Sequence, residues 1–295
     1  MAKRELSNKN PAKHRPTFAG FRVDNALHRH INAMKIGIIM PVVLQTEALL
    51  ELTLDAAEQI KTQHDATLYV ICNRLHVCTA AQLQSSLERR FAGTVSVLHE
   101  PGVERSVAGA WNLGCFHALN EASTYIAIAA NDTLLRPDCL DSLVDYGQTG
   151  AADVWSGISY NDRENIDPTL ISDAADFSCF MIRPTTLHRF GMFDPNFKPA
   201  YFEDNDYYAR VILGGGRCHV VHRAQFFHHG SMTIRSDPEM AHHVRSWFET
   251  NRQYFAKKWG VPSPHNDNES ILKHYFHHPF NDHSKPLGWF PGNCY

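Results

Sequence analysis

Three carboxylates follow an aromatic pair in Tyr201-Phe202-Glu203-Asp204-Asn205-Asp206, and two histidines, His228-His229, stand further along the chain. The carboxylates fall at the expected start of a helix. There the helix dipole and the free first-turn N–H groups favour an ionised anion. Packing against Tyr201 and Phe202 would shield Asp204 from water and strengthen its charge interactions. Such a position suits a general base, or a group that binds a metal–phosphate unit. Plain helix capping would place Asp and Glu in the same positions. Chemistry gains over capping through a second carboxylate upstream. Asn131-Asp132-Thr133 follows an apolar run and precedes Leu134-Leu135-Arg136-Pro137. A carboxylate at a strand end can hold a divalent cation, which can clamp a diphosphate. Asp at such a turn is also an ordinary turn former, so Asp132 gains its weight from Glu203, Asp204 and His228.

The elements that must position these groups follow from periodicity. Lys35 to Pro41 is a short apolar run, expected to be a buried parallel strand. Residues 46–62 have helical spacing, 67–72 read as a strand, 79–91 as a helix, 95–98 as a strand, 106–120 as a helix and 125–130 as a strand. This alternation implies an α/β fold: a Rossmann-like, mostly parallel sheet with helices on both faces. Such sheets bind ligands beyond the carboxyl ends of their strands. Pro41, the pair Asn73-Arg74, and Asn131-Asp132 are therefore candidate site residues. Further on, helices are expected at 137–147, 204–213 and 239–259, and strands at 153–160, 177–183 and 218–228.

Composition narrows the class. The chain has 295 residues, 43% of them hydrophobic, which suffices for one large domain with appendages. Its net charge of -3 argues against a general electrostatic nucleic-acid binder. No apolar run reaches transmembrane length and no signal-peptide core follows the basic start. The seven cysteines are scattered, without a CxxC pair, so neither a zinc ribbon nor a disulfide framework is expected. Free thiols in apolar surroundings point to a reducing, cytoplasmic location. Residues 1–33 form a basic extension, in which Lys3, Arg4, Lys9, Lys13, Arg15, Arg22 and Arg29 are opposed only by Glu5 and Asp24. The main domain is expected over 34–260, with a tail at 261–295 that packs on it.

Over most of residues 35–260 the chain resembles a family 2-type glycosyltransferase of the GT-A fold. The resemblance is carried, in order, by the strand ending at Pro41, by Gly109-Ala110-Trp111-Asn112-Leu113-Gly114, and by Asn131-Asp132-Thr133, which is similar to a DxD-type metal motif. It continues through Phe177 to Arg183, Phe190 to Asp194, Tyr201 to Asp206 with Arg210, His228-His229-Gly230-Ser231, and Asn251 to Gly260.

The resemblance implies a transfer of sugar from a nucleotide-sugar donor. Asp132 would bind Mn²⁺ or Mg²⁺ on the donor diphosphate, and His228 or His229 would complete the metal site, imidazole favouring Mn²⁺. Only one Asp stands in the motif, so the protein gives the metal less charge than a full DxD. Asp204 would be the base that deprotonates the acceptor hydroxyl, with inversion at the anomeric carbon, and Glu203 would support it. Asp206 would pair with Arg210 in a structural role. Asn73 stands where the family often has an acidic residue that contacts the nucleoside. Trp111 and Asn112 would lie on the helix over the site and position donor or acceptor, a place in which Trp111 could equally serve as core.

Other classes remain in view. A nucleotidyltransferase would usually carry a glycine-rich, basic loop after its first strand, and Pro41 to Thr46 contains no Gly, Lys or Arg. A nucleotide-sugar-binding scaffold without activity would not need Asp132, Asp204 and His228 together. A saccharide or glycan is the expected acceptor. The basic extension allows a second one, a modified base in DNA, which would have to be extruded to react.

Overall fold

The computed structural model describes residues 33–161, 163, 165–230, 232 and 238–259. Nearly all of the basic extension 1–33, and all of the tail 261–295, lie outside the described residues.

Strands β1 (Lys35–Leu44), β2 (Asp65–Leu75), β3 (Thr94–His99) and β4 (Tyr125–Ala129) pair in parallel in the order β3-β2-β1-β4. β1 shows why this segment is extended. Ile36, Ile38, Met40, Val42 and Leu44 join one hydrophobic cluster and Ile39 joins another on the opposite face. A strand buried on both faces reads as a continuous apolar run. The first cluster also holds residues of α1 (Glu47–Gln59), α2 (Ala80–Arg90) and α4 (Cys139–Gln148). The second holds residues of α3 (Val107–Asn120), α5 (Pro184–Phe190) and α6 (Glu203–Leu213). Helices thus cover both faces, as expected. α3 lies against β1 with almost no spacing. A Cβ on Gly114 would stand 2.4 Å from Ile39 Cγ2, and one on Gly37 would stand 2.5 Å from Ala118 Cβ.

Beyond β4 the order is β8-β6-β9-β5, formed by β8 (Cys179–Ile182), β6 (Val154–Ser159), β9 (Cys218–His228) and β5 (Thr133–Leu135), with β7 (Ile171–Asp173) on β9. β6 and β9 are parallel, whereas β8 runs antiparallel to β4 and β6, and β5 and β7 run antiparallel to β9. The expected strands and helices all occur, with their ends moved by a few residues. β5, β7 and α5 were not anticipated. β5 and β7 span three residues each, too few for a periodic signal.

α7 (Pro238–Trp259) packs on α6 through Phe197, Phe202, Ala209, Leu213, Phe255 and Trp259. Lys258 links this contact to buried charge. Its Nζ lies 2.7 Å from Asp194 Oδ2 and 2.6 Å from Asp206 Oδ1. Arg210 Nε lies 3.0 Å from Asp206 Oδ2, so the Asp206–Arg210 pair is structural, as expected. No helix among the described residues is long and apolar enough to cross a membrane.

Candidate active site

A cleft of about 720 Å³ opens beyond the carboxyl ends of β1, β2 and β4. Pro41, Asn73, Arg74, Trp111, Asn131 and Asp132 line it from the sheet side and from α3. Glu203, Asp204 and His228 line it from the other half of the fold.

Asp132 and His228 meet because of β5. Thr133 pairs with His228 across the antiparallel β5–β9 ladder, which sets the end of β9 beside the turn that carries Asp132. His228 Nε2 lies 3.3 Å from Asp132 Oδ1. The other Asp132 oxygen accepts a hydrogen bond from Met232 N at 3.2 Å. Burial pushes the Asp132 carboxyl up. The hydrogen bond and charge of His228, with the Met232 N–H, outweigh it and hold the group below its ordinary value. The same hydrogen bond raises His228 above the usual imidazole value, against the effect of burial. Ser178 Oγ lies 3.2 Å from His228 Nδ1. A metal ion between the two groups would replace the Nε2 proton that faces Asp132, while Ser178 on Nδ1 would hold the ring in place. The next residue, His229, is placed differently. Its ring meets Phe227 edge-on at 5.0 Å, and its backbone N–H donates to the Asp132 carbonyl at 2.9 Å.

The start of α6 has an unusual backbone. Tyr201 and Phe202 both adopt left-handed conformations, with φ of 77° and 75°. Two such non-glycine residues in a row are uncommon and strained. No side chain caps α6, unlike α1, α2 and α3, whose caps are Thr46, Thr79 and Ser106. Asp204 Oδ1 accepts from the first-turn Asn205 N–H at 2.8 Å. Glu203 is buried and its Oε2 has no hydrogen-bond partner among the described residues. Burial, then the neighbouring Asp204 and Asp206, push its carboxyl well up. Asp204 is half-buried on the cleft wall. Burial raises its carboxyl above the ordinary value, Asp176 adds to this, and the Asn205 N–H opposes it.

The remaining sequence-selected residues divide by what their polar atoms touch. Asn73 donates to Arg105 O at 2.8 Å and accepts from Arg105 N at 3.1 Å, fixing the loop before α3. Arg74 grips Glu104 at 2.7 and 2.9 Å. Asn131 turns to α1, donating to Thr53 Oγ1 at 3.0 Å. Asn112 donates to Phe193 O at 2.8 Å and accepts from Phe193 N at 2.9 Å, locking α3 to the segment before α6. Trp111 lies edge-on to Phe180 and Phe193, forming an apolar floor. Three contributors were missed as site residues in the sequence: Asp176 and Ser178, which line the cleft just before β8, and Asn251 of α7, which holds the backbone before α6. Small polar residues ahead of a strand carry no signal distinct from turn chemistry.

Among the described residues, no group of three or more His, Cys, Asp or Glu side chains converges on one point. The Asp132 oxygen and His228 nitrogen nevertheless form a fitting donor pair. Ions at nucleotide sites commonly take one or two carboxylates plus substrate phosphates, and imidazole shifts the preference to Mn²⁺.

The parallel half-sheet, the helices on both faces and the cleft at the strand ends define the GT-A glycosyltransferase fold. Solved structures similar to this chain have that fold. GalNAc-T7, solved with UDP, GalNAc and Mn²⁺, matches with a TM-score of 0.56 and 13% identity over 86% of this chain and 55% of that one. The mannosyltransferase PcManGT from Pyrobaculum calidifontis, solved with GDP-Man and Mn²⁺, matches with a TM-score of 0.55 and 14% identity over 86% and 78%. S. aureus TarS matches with a TM-score of 0.53 and 14% identity over 85% and 45%. The chain thus spans about half the length of TarS and of GalNAc-T7. No protein-family model matches the sequence, and no curated protein matches it.

Proposed function

We propose that this protein is an inverting, metal-dependent glycosyltransferase that moves a sugar from a nucleoside-diphosphate donor to a saccharide hydroxyl. The observation that carries this reading is one cleft lined by both the Asp132–His228 pair and Asp204, in a GT-A sheet. A divalent cation held by Asp132 and His228 would supply the positive charge that stabilises the departing diphosphate. Ser178 orients the imidazole and Met232 N–H orients the carboxylate, so neither ligand must reorganise when donor binds. Trp111 gives the donor an apolar floor. Asp204 takes the proton from the acceptor hydroxyl onto a carboxylate oxygen as that oxygen attacks the anomeric carbon from the face opposite the diphosphate. A carboxyl raised by burial is the stronger base for this transfer. Glu203, buried beside Asp204, supports the base.

Thermal shift with a panel of nucleoside diphosphates, with and without Mn²⁺, tests this on the wild type and on Asp132→Ala. The expected result is Mn²⁺-dependent stabilisation by one nucleotide, lost in the variant. Stabilisation by no nucleotide would remove the donor site and with it the proposal. Nucleotide binding without release of free sugar from any donor or transfer to any acceptor would favour a binding scaffold instead.

A further inference from the structure

A second cavity, of about 740 Å³, adjoins the proposed active site. Arg136 follows β5, Arg223 and Gln225 lie on β9, and Tyr160 and Arg163 follow β6. Arg163 lines both cavities, which adjoin at that residue. Among the described residues, none of the Arg136, Arg163 and Arg223 guanidinium groups pairs with a carboxylate, and Asp138 is the acidic residue of the lining. Arg136 lies over the Tyr160 ring, 4.8 Å from its centroid. Its Nε is buried and has no hydrogen-bond partner among the described residues. A buried guanidinium nitrogen without an acceptor is costly unless something supplies one. Stacking on Tyr160 fixes the plane of the fork without using its N–H groups. Three arginines against one aspartate leave an excess of positive charge. A planar fork held rigidly matches a phosphate group in two-point contact.

Position decides which substrate carries the phosphate. Arg136 and Arg223 line this cavity and not the cleft that Asp132 lines, so a diphosphate held at Asp132 leaves their guanidinium groups unmatched. We propose that this cavity is an acceptor subsite that binds a phosphate group borne by the acceptor saccharide, an inference that rests on the glycosyltransferase reading. A nucleic acid is disfavoured by the geometry. The Tyr160 face is covered by Arg136 and offers no base a stacking platform. The cations gather in one cavity rather than along a backbone-tracking stripe.

The test is calorimetry on the full chain saturated with its nucleoside diphosphate and Mn²⁺. A disaccharide phosphate, the same disaccharide without phosphate, inorganic phosphate and a single-stranded oligonucleotide are the probes. The phosphorylated disaccharide is expected to bind about 10-fold or more tightly than the plain one, through charge-assisted hydrogen bonds. Arg136→Gln and, separately, Arg223→Gln should each erode that preference while nucleotide affinity stays unchanged. Arg223 is exposed, so its variant retains the fold even where Arg136→Gln does not. Equal binding of the two disaccharides, with nucleotide binding intact, overturns the subsite. Inorganic phosphate bound as tightly as the sugar phosphate overturns the acceptor assignment, and tighter oligonucleotide binding overturns the saccharide class. Loss of nucleotide binding in the wild type is a different failure, that of the glycosyltransferase reading itself.

Discussion

Asn251→Ala tests how α7 sets the proposed base. Asn251 is only 1% exposed. Its Oδ1 accepts from Lys198 N at 3.1 Å, and its Nδ2 donates to Ala200 O at 2.8 Å and Tyr201 O at 3.2 Å. The next step of the chain is the pair of left-handed residues Tyr201 and Phe202, and Glu203 and Asp204 follow at once. Each left-handed residue stores about 1–3 kcal/mol of strain, which its surroundings must offset. Asn251 supplies three of the restraining bonds, and Phe202 packing on Phe248 and Phe255 supplies another restraint. At about 1 kcal/mol net per bond, truncation to Ala should cost roughly 2–4 kcal/mol. For a domain of this size that lowers Tm by roughly 4–16 °C. The functional effect should be selective. Asp204 loses its placement, whereas Asp132, on the turn before β5, and His228, at the end of β9, do not. A displacement near 1 Å can cost about 100-fold in rate, so kcat should fall by roughly 10- to 100-fold while nucleotide affinity holds. Asn251→Asp keeps the acceptor for Lys198 N–H but sets a carboxylate oxygen against two carbonyls, and should recover little. Scanning fluorimetry and steady-state kinetics check both effects. An Asn251→Ala protein with wild-type Tm and kcat would refute the positioning role, as would equal losses of kcat and nucleotide affinity.

Because burial raises Asp204, the acidic limb of the kcat/KM profile should lie above the ordinary aspartate value, activity rising as pH climbs through it; Asp204→Asn should remove the limb and lower kcat by roughly 10²- to 10⁴-fold. Ser178→Ala should weaken Mn²⁺ binding by roughly 10- to 100-fold, read by metal titration, because the imidazole of His228 loses its orienting partner. Lys258→Met leaves Asp194 and Asp206, both fully buried, without their shared cation; urea unfolding should show a loss of about 3–5 kcal/mol. In the wild type, burial pushes Asp194 up but Lys258 outweighs it, and the folded carboxyl lies below its ordinary value. Its contribution to stability is therefore present above about pH 3.9 and is lost as pH falls through the folded value; Lys258→Met should flatten that acid transition.

The order of strands and helices was legible because each segment buries a face that its own periodicity declares. Ile36, Ile38 and Met40 alternate with Ile39 across the sheet, and Thr46, Thr79 and Ser106 mark the helix starts. The candidate carboxylates were legible for a similar reason: Asp132 ends an apolar run, and Glu203 and Asp204 begin a helix. β5 and β7 were not, since three residues carry no period and owe their conformation to β9. The left-handed entry to α6 was not legible either, because Tyr201 and Phe202 are not residue types that favour positive φ.

By itself the sequence determined an alternating α/β chain with acidic groups at a strand end and a helix start, because local periodicity and side-chain chemistry are written residue by residue. Tertiary structure alone decided which partners those groups have. The His228 imidazole meets the Asp132 carboxylate because β5 pairs with the end of β9. Asn73, Asn112 and Asn131 look like ligand-binding amides in the sequence, yet each one's hydrogen bonds to the protein are fixed by a neighbour far along the chain. An amide has a few donors and acceptors and no periodicity, so only the packed fold can assign them.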